Sequence, residues 1–217
     1  MHDTVGLLEA MSTTRSIRRF RPDPIPDDLL HSVLEAATWA PSGSNSQSWR
    51  LVVVRDPEKR RRIGDLYRQG LSEFYPADRL VSETDPARAR MMTGSLYLGE
   101  HIGTEPPVLV LFCQARPASA TSTGPSGLRP WTRGSSVYPA VQNLLLAARA
   151  VGLGGCLTTV HLLHEPDVKA IVGIPDDVDT FALVPLGYPR DRYGPLQRRP
   201  VEEVAYLDAW GAPSAVD

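Results

Sequence analysis

The segment at 135–155, SSVYPAVQNLLLAARAVGLGG, constrains the fold of this chain more than any other segment. Its apolar residues would surround a helix on nearly every side, and such a helix is stable only when it is buried. Gly152 is suited to end the helix, because glycine commonly closes helix C-termini. We therefore expect a central helix here, with the remaining elements packed around it.

The rest of the chain alternates helical and strand patterns. Only four strands are clear, which favours an α+β fold over a regular βαβ series. The apolar residues at 51–54 are continuous, so this strand is expected to be central in its sheet. The predicted helices lie at 4–13, from Pro26 to Pro41, from Pro57, at 86–101 and from Pro166, and the other predicted strands lie at 108–113, 156–160 and 180–189.

Composition excludes several classes of protein. The 217 residues suit one domain, 1–217, and 23 basic against 25 acidic residues give a net charge of −2, without a basic field for nucleic acid. No apolar run reaches the ~18 residues of a membrane span, and the N-terminus lacks the pattern of a signal peptide. Cys113 and Cys156 have apolar flanks. We therefore expect two reduced core thiols and a cytoplasmic protein.

The sequence lacks the motifs of many common active sites. It has no GxGxxG after a strand, no phosphate-binding loop, no HExxH and no GxSxG. His161 and His164 are spaced like a pair of metal ligands, but no cluster supplies a third ligand. We expect instead one histidine at a strand end and one at a helix start, and no metal site.

Arg15-Ser16-Ile17-Arg18-Arg19-Phe20 is the first of four clusters that could bind a ligand. The segment is predicted to be extended, and alternate side chains of an extended chain share a face. Ser16 and Arg18 would then point one way, and Arg15, Ile17 and Arg19 the other way. Guanidinium groups beside a hydroxyl suit a phosphate ester. A solvated basic stretch would have the same composition.

The other three clusters contain small polar residues or arginines. The loop at 41–48, PSGSNSQS, could hydrogen-bond a polar heterocycle, or it could be an ordinary turn. The glycines at 154–155 could let the backbone approach a flat ligand, and the threonines that follow could equally be plain strand residues. Arg198 and Arg199 could form a second phosphate clamp, or belong to a basic tail.

In their order and spacing, these four clusters together resemble the nitroreductase family of FMN-dependent oxidoreductases. The resemblance extends from Thr14 to about Trp210, in the pieces TRSIRRF, APSGSNSQSW with LVVV, SSVYPAVQNLLLAARAVGLGGCLTT, GIPDD, VPLGYP and RRPVEEV. It implies a central mixed, mainly antiparallel sheet wrapped by helices. It also implies a homodimer, in which the C-terminal extension at 190–217 packs on the partner subunit and FMN lies in clefts at the interface.

The resemblance also implies which residues bind FMN. Arg15 and Ser16 match the pair that holds the phosphate, and Arg198 or Arg199 matches a tail residue that joins them. Arg18 matches a cation near flavin N1 and O2. Many members have a basic residue where this chain has Thr14, and Arg199 is a candidate to replace that contact. The positions that match contacts to the ribityl chain and ring are Pro41, Ser42, Asn45 and Gln47, from the other subunit, and Ile17, Leu157, Thr158 and Thr159.

The implied reaction is ping-pong hydride transfer from transiently bound NAD(P)H, through FMN, to a nitroaromatic, a quinone or a similar electrophile. The flavin carries the redox chemistry, so no catalytic side chain is required, and Arg18 gives electrostatic support. The long segment at 114–134 has several basic residues and no acidic one, and we expect a flexible loop or lid there. Two alternatives remain open. One is another flavin enzyme on the same scaffold, such as an oxidase, a dehydrogenase, a dehalogenase or a flavin-cleaving enzyme. The other is a non-catalytic flavin-binding dimer.

Overall fold

The computed structural model describes residues 5–76, 83–116 and 130–212, and it confirms the α+β class. The helices are α1 (Leu7–Thr13), α2 (Asp27–Thr38), α3 (Pro57–Phe74), α4 (Pro86–His101), α5 (Val137–Ala150) and α6 (Glu165–Val172). The strands are β1 (Trp49–Val54), β2 (Val108–Ala115), β3 (Gly154–Gly155) and β4 (Val178–Gly187). Short 3-10 helices span Gly43–Asn45, Pro130–Ser135, Val160–His164 and Val201–Glu203.

Local sequence signals fix where several helices begin. The side chain of Asp56 accepts a hydrogen bond from the Lys59 N–H at 2.8 Å, directly before the proline that opens α3. Asp85 does the same for α4, accepting from the Ala87 N–H at 2.9 Å. Each cap satisfies a backbone donor that has no partner inside its helix. These two boundaries follow directly from the Asp-Pro pairs in the sequence.

The four strands form one sheet in the order β1-β2-β4-β3, and every described pairing is antiparallel. Within the described ranges β1 pairs only with β2, from Trp49 opposite Gln114 to Val54 opposite Leu109. The prediction that this strand is central is therefore wrong. A continuous apolar run indicates that both faces of a strand are covered, but it does not indicate how many strands pair with it. β2 and β4 are the inner strands, and Val108 to Phe112 are at most 1% exposed.

The two faces of the sheet carry two separate apolar clusters. One face packs against α2 and α5, and its centre includes Val110, Leu144 and Val184. The other face packs against α3 and α6, and its centre includes Leu111 and Leu183. The predicted central helix is confirmed, because five residues of α5 are completely buried: Val137, Ala140, Val141, Leu144 and Ala148.

The predicted strand at 156–160 is mostly absent. Thr158 makes one isolated bridge to Leu183, with the Thr158 N–H donating to the Leu183 carbonyl at 3.0 Å. The chain then turns into the 3-10 helix Val160–His164, where the Val160 N–H bonds back to the Thr158 hydroxyl at 3.4 Å. Because this N–H bonds to a side chain, it does not pair with a neighbouring strand. His161 therefore lies in a 3-10 helix and not at a strand end, whereas His164 directly precedes α6, as expected.

Most of the basic segment at 114–134 falls outside the described residues, since 117–129 are not described. Its two described ends are both tied to Asp179. The Arg116 Nε lies 2.6 Å from a carboxylate oxygen of Asp179, and Arg133 forms an ion pair with the other oxygen. Burial would raise the pKa of Asp179, but the hydrogen bonds from the two arginines outweigh it and lower that pKa. Arg116 and Arg133 are thus paired with a carboxylate.

The C-terminal extension begins by packing on its own chain. The Tyr193 hydroxyl donates to the Leu153 carbonyl at 2.6 Å, and the Leu196 N–H donates to the Ser12 carbonyl at 3.1 Å. Between Pro200 and Ala212 the large apolar side chains are exposed, and Trp210 is 92% exposed. In the described part of the chain, none of the helices has the length and hydrophobicity needed to cross a membrane.

Candidate functional site

A cavity of about 590 Å³ lies where the extended segment at 15–18 meets α4 and the C-terminal extension. Two backbone hydrogen bonds attach the extended segment to the core. The Ile17 N–H donates to the Gly155 carbonyl at 3.0 Å, and the Phe20 N–H donates to Glu105 Oε2 at 3.1 Å. Both apolar side chains are buried, which holds the polar residues between them at the surface of the core. The cavity is lined by Arg15, Ser16, Arg18, Ala87, Arg90, Met91, Pro195, Leu196, Gln197 and Arg198.

The strict alternation predicted for this segment is only partly correct. Ser16 and Arg18 share the cavity, while Ile17 is buried and the Arg19 guanidinium lies 4.7 Å from the centre of the Tyr97 ring. Arg15, however, lines the same cavity as Ser16. It directly follows Thr14, whose N–H bonds to the Ala10 carbonyl at 2.8 Å as the cap of α1, so Arg15 lies next to a helix end and not inside a regular strand.

All charged side chains in the described lining of this cavity are positive. Arg15, Arg18, Arg90 and Arg198 all line it, and its described lining contains no carboxylate. No ion pair among the described residues includes any of these four arginines. Unpaired guanidinium groups in one concave site suit a multiply charged anion such as a phosphate.

A second cavity of about 440 Å³ adjoins the first at Arg18, and its lining is mainly apolar. Tyr67 from α3 lies 2.9 Å from Thr158, hydroxyl to hydroxyl, inside this cavity. Burial raises the pKa of Tyr67 to about 12, and the hydrogen bond to Thr158 and the nearby Arg18 oppose that rise. Tyr67 therefore keeps its proton at neutral pH. The cavity is lined by Arg18, Tyr67, Leu71, Phe74, Tyr75, Met91, Ser95, Leu98, Cys156, Leu157, Thr158, Thr159, Val160, Leu162 and Leu163.

Gly154 makes room for protein side chains, whereas Gly155 lines a cavity of about 340 Å³ together with Arg15, Ser16 and Arg198. A Cβ atom on Gly154 would lie 2.6 Å from Ile17 Cγ1 and 2.7 Å from the Tyr193 hydroxyl. Beside them, burial raises the pKa of Cys156, while the charge of Arg18 and a hydrogen bond with Ser16 oppose the rise. Both cysteines are free and buried, in agreement with the expected core thiols.

The loop at 41–48 lies away from these cavities, so one copy of the chain does not bring Pro41, Ser42, Asn45 or Gln47 to Arg15. The loop is nevertheless preformed. The Gln47 N–H donates to Ser42 Oγ at 2.9 Å, and Asn45 and Gln47 have φ angles of 52° and 47°. Left-handed geometry at such residues costs about 1–3 kcal/mol each, and it commonly occurs at functional sites. Arg199 is exposed and does not line the arginine cavity, whereas Arg198 does.

Two residues of the cavities escaped the sequence analysis. Tyr67 has no local signal, because its partner Thr158 lies 91 positions away in the sequence. Arg90 is one of many arginines in the chain, and only the contact between α4 and the extended segment distinguishes it. Among the described residues, no group of three or more His, Cys, Asp or Glu side chains could hold a metal ion. His161 instead contacts the Thr180 hydroxyl through Nε2 at 3.1 Å.

Comparison with known proteins identifies the family. The sequence model described as the nitroreductase family matches residues 11–188. The chain belongs to the nitroreductase family. It is 36% identical to an NADH dehydrogenase of Thermus thermophilus, over 94% of this chain and 98% of that protein. It is also 31% identical to a 5,6-dimethylbenzimidazole synthase of Rhodospirillum rubrum, over 87% of this chain and 84% of that protein. The chain is thus a nitroreductase-family oxidoreductase.

A solved structure confirms the nitroreductase-like fold. Oxidized iodotyrosine deiodinase, bound to FMN and 3-iodo-L-tyrosine, matches this chain with a TM-score of 0.69 at 24% sequence identity. The match covers 90% of this chain and 96% of the deiodinase chain. Relatives with different names thus share this fold, and the reaction has to be inferred from the site itself.

Proposed function

We propose that this chain is an FMN-dependent oxidoreductase that transfers hydride from NAD(P)H to a nitroaromatic, a quinone or a similar electrophile. The observation that carries the proposal is the pair of adjoining cavities. One contains four arginines without a carboxylate in its described lining, and the other is mainly apolar. Arg18 lines both cavities. A molecule with a phosphate at one end and a flat ring at the other matches this arrangement.

The residues present fit FMN. Arg15, Ser16 and Arg198 would hold the phosphate, and Leu157, Thr158 and Thr159 would line the ring side, next to Arg18. When bound, FMN supplies the two-electron redox chemistry through which hydride passes in a ping-pong cycle. The iodotyrosine deiodinase of the same fold binds FMN, which supports this assignment.

Each of the protein groups around the apolar cavity has a defined task in this proposal. Arg18 places a fixed positive charge beside a partly water-free space, where it would stabilise negative charge on a reduced ring. Tyr67 holds the Thr158 hydroxyl in one position. Leu71, Leu98 and their apolar neighbours exclude water from the cavity.

The lining of the apolar cavity bears on the choice of substrate. Arg18 is the only charged side chain among its described lining residues. Recognition of a zwitterionic amino acid would call for a carboxylate to bind the ammonium group. We therefore favour an uncharged aromatic electrophile over a halogenated amino acid. The similarity to an NADH dehydrogenase supports a nicotinamide nucleotide as the reductant, and the absence of a GxGxxG fingerprint favours its transient binding.

We infer further that the working unit is a homodimer. Pro41, Ser42, Asn45 and Gln47 form a strained but exposed loop, and the apolar residues after Pro200 are also exposed. Exposed apolar surface of this kind is typical of an interface. A second copy would bring the loop to the cavity of the first copy and cover the exposed tail. Tail residues up to Arg198 stay with the cavity of their own chain.

The decisive experiment is anaerobic reduction of the purified protein. The protein should be yellow, and the flavin colour should bleach on addition of NADH or NADPH. The colour should then return on addition of a quinone or a nitroaromatic compound. A yellow protein that neither nucleotide bleaches would reject NAD(P)H as the reductant and favour the two alternatives, another flavin enzyme or a non-catalytic dimer. A colourless protein that does not take up added FMN would reject the cofactor itself.

A further inference from the structure

One face of α4 lies against the extended segment that carries Arg18. A Cβ atom on Gly94 would be 3.5 Å from Arg18 Cδ and 4.0 Å from Arg18 Nη1, so the Arg18 side chain runs along the helix at this glycine. Arg90 precedes Gly94 by four positions and Ala87 precedes Arg90 by three, and such spacings lie on one side of a helix. Helical geometry thus directs Arg90 toward the same cavity as Arg18.

Arg90 differs from its neighbours in charge pairing. Arg88 on the same helix pairs with Glu83 at 3.2 Å, and on α3 Arg68 pairs with Asp65 at 2.8 Å. Within the ranges that the structure describes, Arg90 takes part in no ion pair and lines the arginine cavity instead. A neighbouring cavity of about 600 Å³ shares Arg15, Ser16, Arg18 and Arg90, and Asp191 is its one acidic lining residue.

The arginine cavity carries more positive charge than one phosphate group neutralises. Four guanidinium groups carry a formal charge of +4, whereas a phosphate monoester carries about −1.5 to −2 at neutral pH. In the proposed function Arg15 and Arg198 contact that phosphate, and Arg18 lies next to the ring. The remaining cations repel one another unless an anion lies between them, which makes Arg90 available to a phosphate group.

We propose that Arg90, which lies on α4, binds a phosphate group in the arginine cavity. The other arginines of this cavity belong to the extended segment and to the tail. This proposal rests on the proposed function. The phosphate belongs either to FMN itself or to the nicotinamide dinucleotide that reduces it. Both are phosphate esters and both suit a guanidinium fork.

The test compares Arg90→Ala with Arg88→Ala, a matched control two positions away on the same helix. FMN and riboflavin affinities are measured for the full chain by fluorescence, and KM and kcat are measured with NADH and with NADPH. If the phosphate is that of FMN, Arg90→Ala should weaken FMN binding by about 10-fold or more and leave riboflavin binding unchanged. If the phosphate is that of the dinucleotide, FMN binding should be unchanged and KM should rise by about 10-fold or more at unaltered kcat.

Arg90→Lys should recover part of the loss in either case, because it keeps the charge and loses the fork. The proposal is overturned if Arg90→Ala matches Arg88→Ala for FMN, riboflavin and both nucleotides. It is also overturned if riboflavin and FMN binding weaken equally, since that result would indicate damage to the fold. A wild-type chain that binds no FMN would reject the proposed function, and a wild-type chain that binds FMN beside an unaffected Arg90→Ala would reject only the role of Arg90.

Discussion

The segment at 15–20 and the loop at 41–48 both carry residues of the proposed FMN site, but they are held in opposite ways. Ile17 and Phe20 are at most 1% exposed, and backbone hydrogen bonds to Gly155 and Glu105 fix the first segment to the core. The loop is exposed and is shaped by bonds to Ser42 and Ser136 and by three non-glycine residues with positive φ. We infer that one copy of the chain forms half of the site and that a second copy supplies the loop.

The largest expected effect comes from removing the exposed tail. A chain that ends after Pro200 keeps Tyr193, Leu196 and Arg198 and loses the exposed apolar residues. We expect the full-length protein to have a mass near twice 23.8 kDa by light scattering and the shortened protein to be a monomer without bound FMN. A shortened protein that stays dimeric would show that the interface does not need the tail, and a full-length protein that binds FMN as a monomer would contradict the shared site. The residues removed from the surface include Val201, Val204, Tyr206, Leu207 and Trp210.

The second-largest expected effect is on FMN affinity, and it concerns the arginines that would hold the phosphate. Arg15→Ala or Arg198→Ala removes a charge-assisted hydrogen bond of about 1.5–3 kcal/mol. FMN affinity should therefore fall by about 10- to 150-fold, while riboflavin affinity should stay the same. Arg199→Ala is the control, because Arg199 does not line the cavity. Unchanged FMN affinity in both variants would show that the phosphate lies elsewhere.

Mixed dimers test whether the segment at 15–20 and the loop at 41–48 of one site come from different subunits. One subunit carries Arg15→Ala and the other carries Asn45→Ala with Gln47→Ala, and each variant alone should bind FMN poorly at both of its sites. If the halves come from different subunits, the mixed dimer has one intact site and one site with both defects. FMN occupancy of purified mixed dimers should then reach about half of the wild-type value at a concentration that saturates the wild type. Occupancy as low as in the parent variants would place both halves in one subunit.

A smaller effect is expected on the redox potential. Arg18 joins the two cavities, so its loss should destabilise the reduced flavin more than the oxidised flavin. For a two-electron couple, ~30 mV corresponds to about 1.4 kcal/mol, and Arg18→Ala should lower the potential by some tens of millivolts. Arg18→Lys should keep most of the potential, because the charge matters more than the fork. A spectroscopic redox titration that finds the wild-type potential in Arg18→Ala would exclude this role.

The last effect is on stability and not on FMN binding, and it concerns His161 in the segment at 157–164. Burial lowers the pKa of His161 from its ordinary value of 6.5 to about 4. The unfolded chain therefore binds this proton more readily than the folded chain between pH 6.5 and 4. The stability linked to this histidine is complete above pH 6.5 and falls by about 1.4 kcal/mol per pH unit within that window. Urea unfolding at several pH values should show this slope for the wild type and a reduced slope for His161→Gln.

The sequence patterns predicted local features well and sheet positions poorly. The apolar run at 135–155 predicts a buried central helix, and the helices predicted from Pro57 and at 86–101 begin where the structure has them. The run at 51–54 correctly predicts a strand, but that strand is at the sheet edge. Burial of a strand depends on what covers its faces, and its place in the sheet depends on pairing with residues far away in the sequence. The interpretation of Gly154 fails for the same reason, since the side chains that occupy its space come from Ile17 and Tyr193.

By itself, the sequence determined the α+β class and pointed to Arg15 and Arg18 and to the arginine pair at 198–199 as candidate site residues. These follow from the spacing of apolar residues, from helix caps and from motifs whose members are close together. The tertiary structure alone decided that Arg90 and Tyr67 face the same cavities as Arg18 and Thr158. Tyr67 and Thr158 are 91 positions apart, and their 2.9 Å contact exists only because α3 packs against the segment that follows β3. Periodicity describes which face of an element is buried, and packing decides which element that face meets.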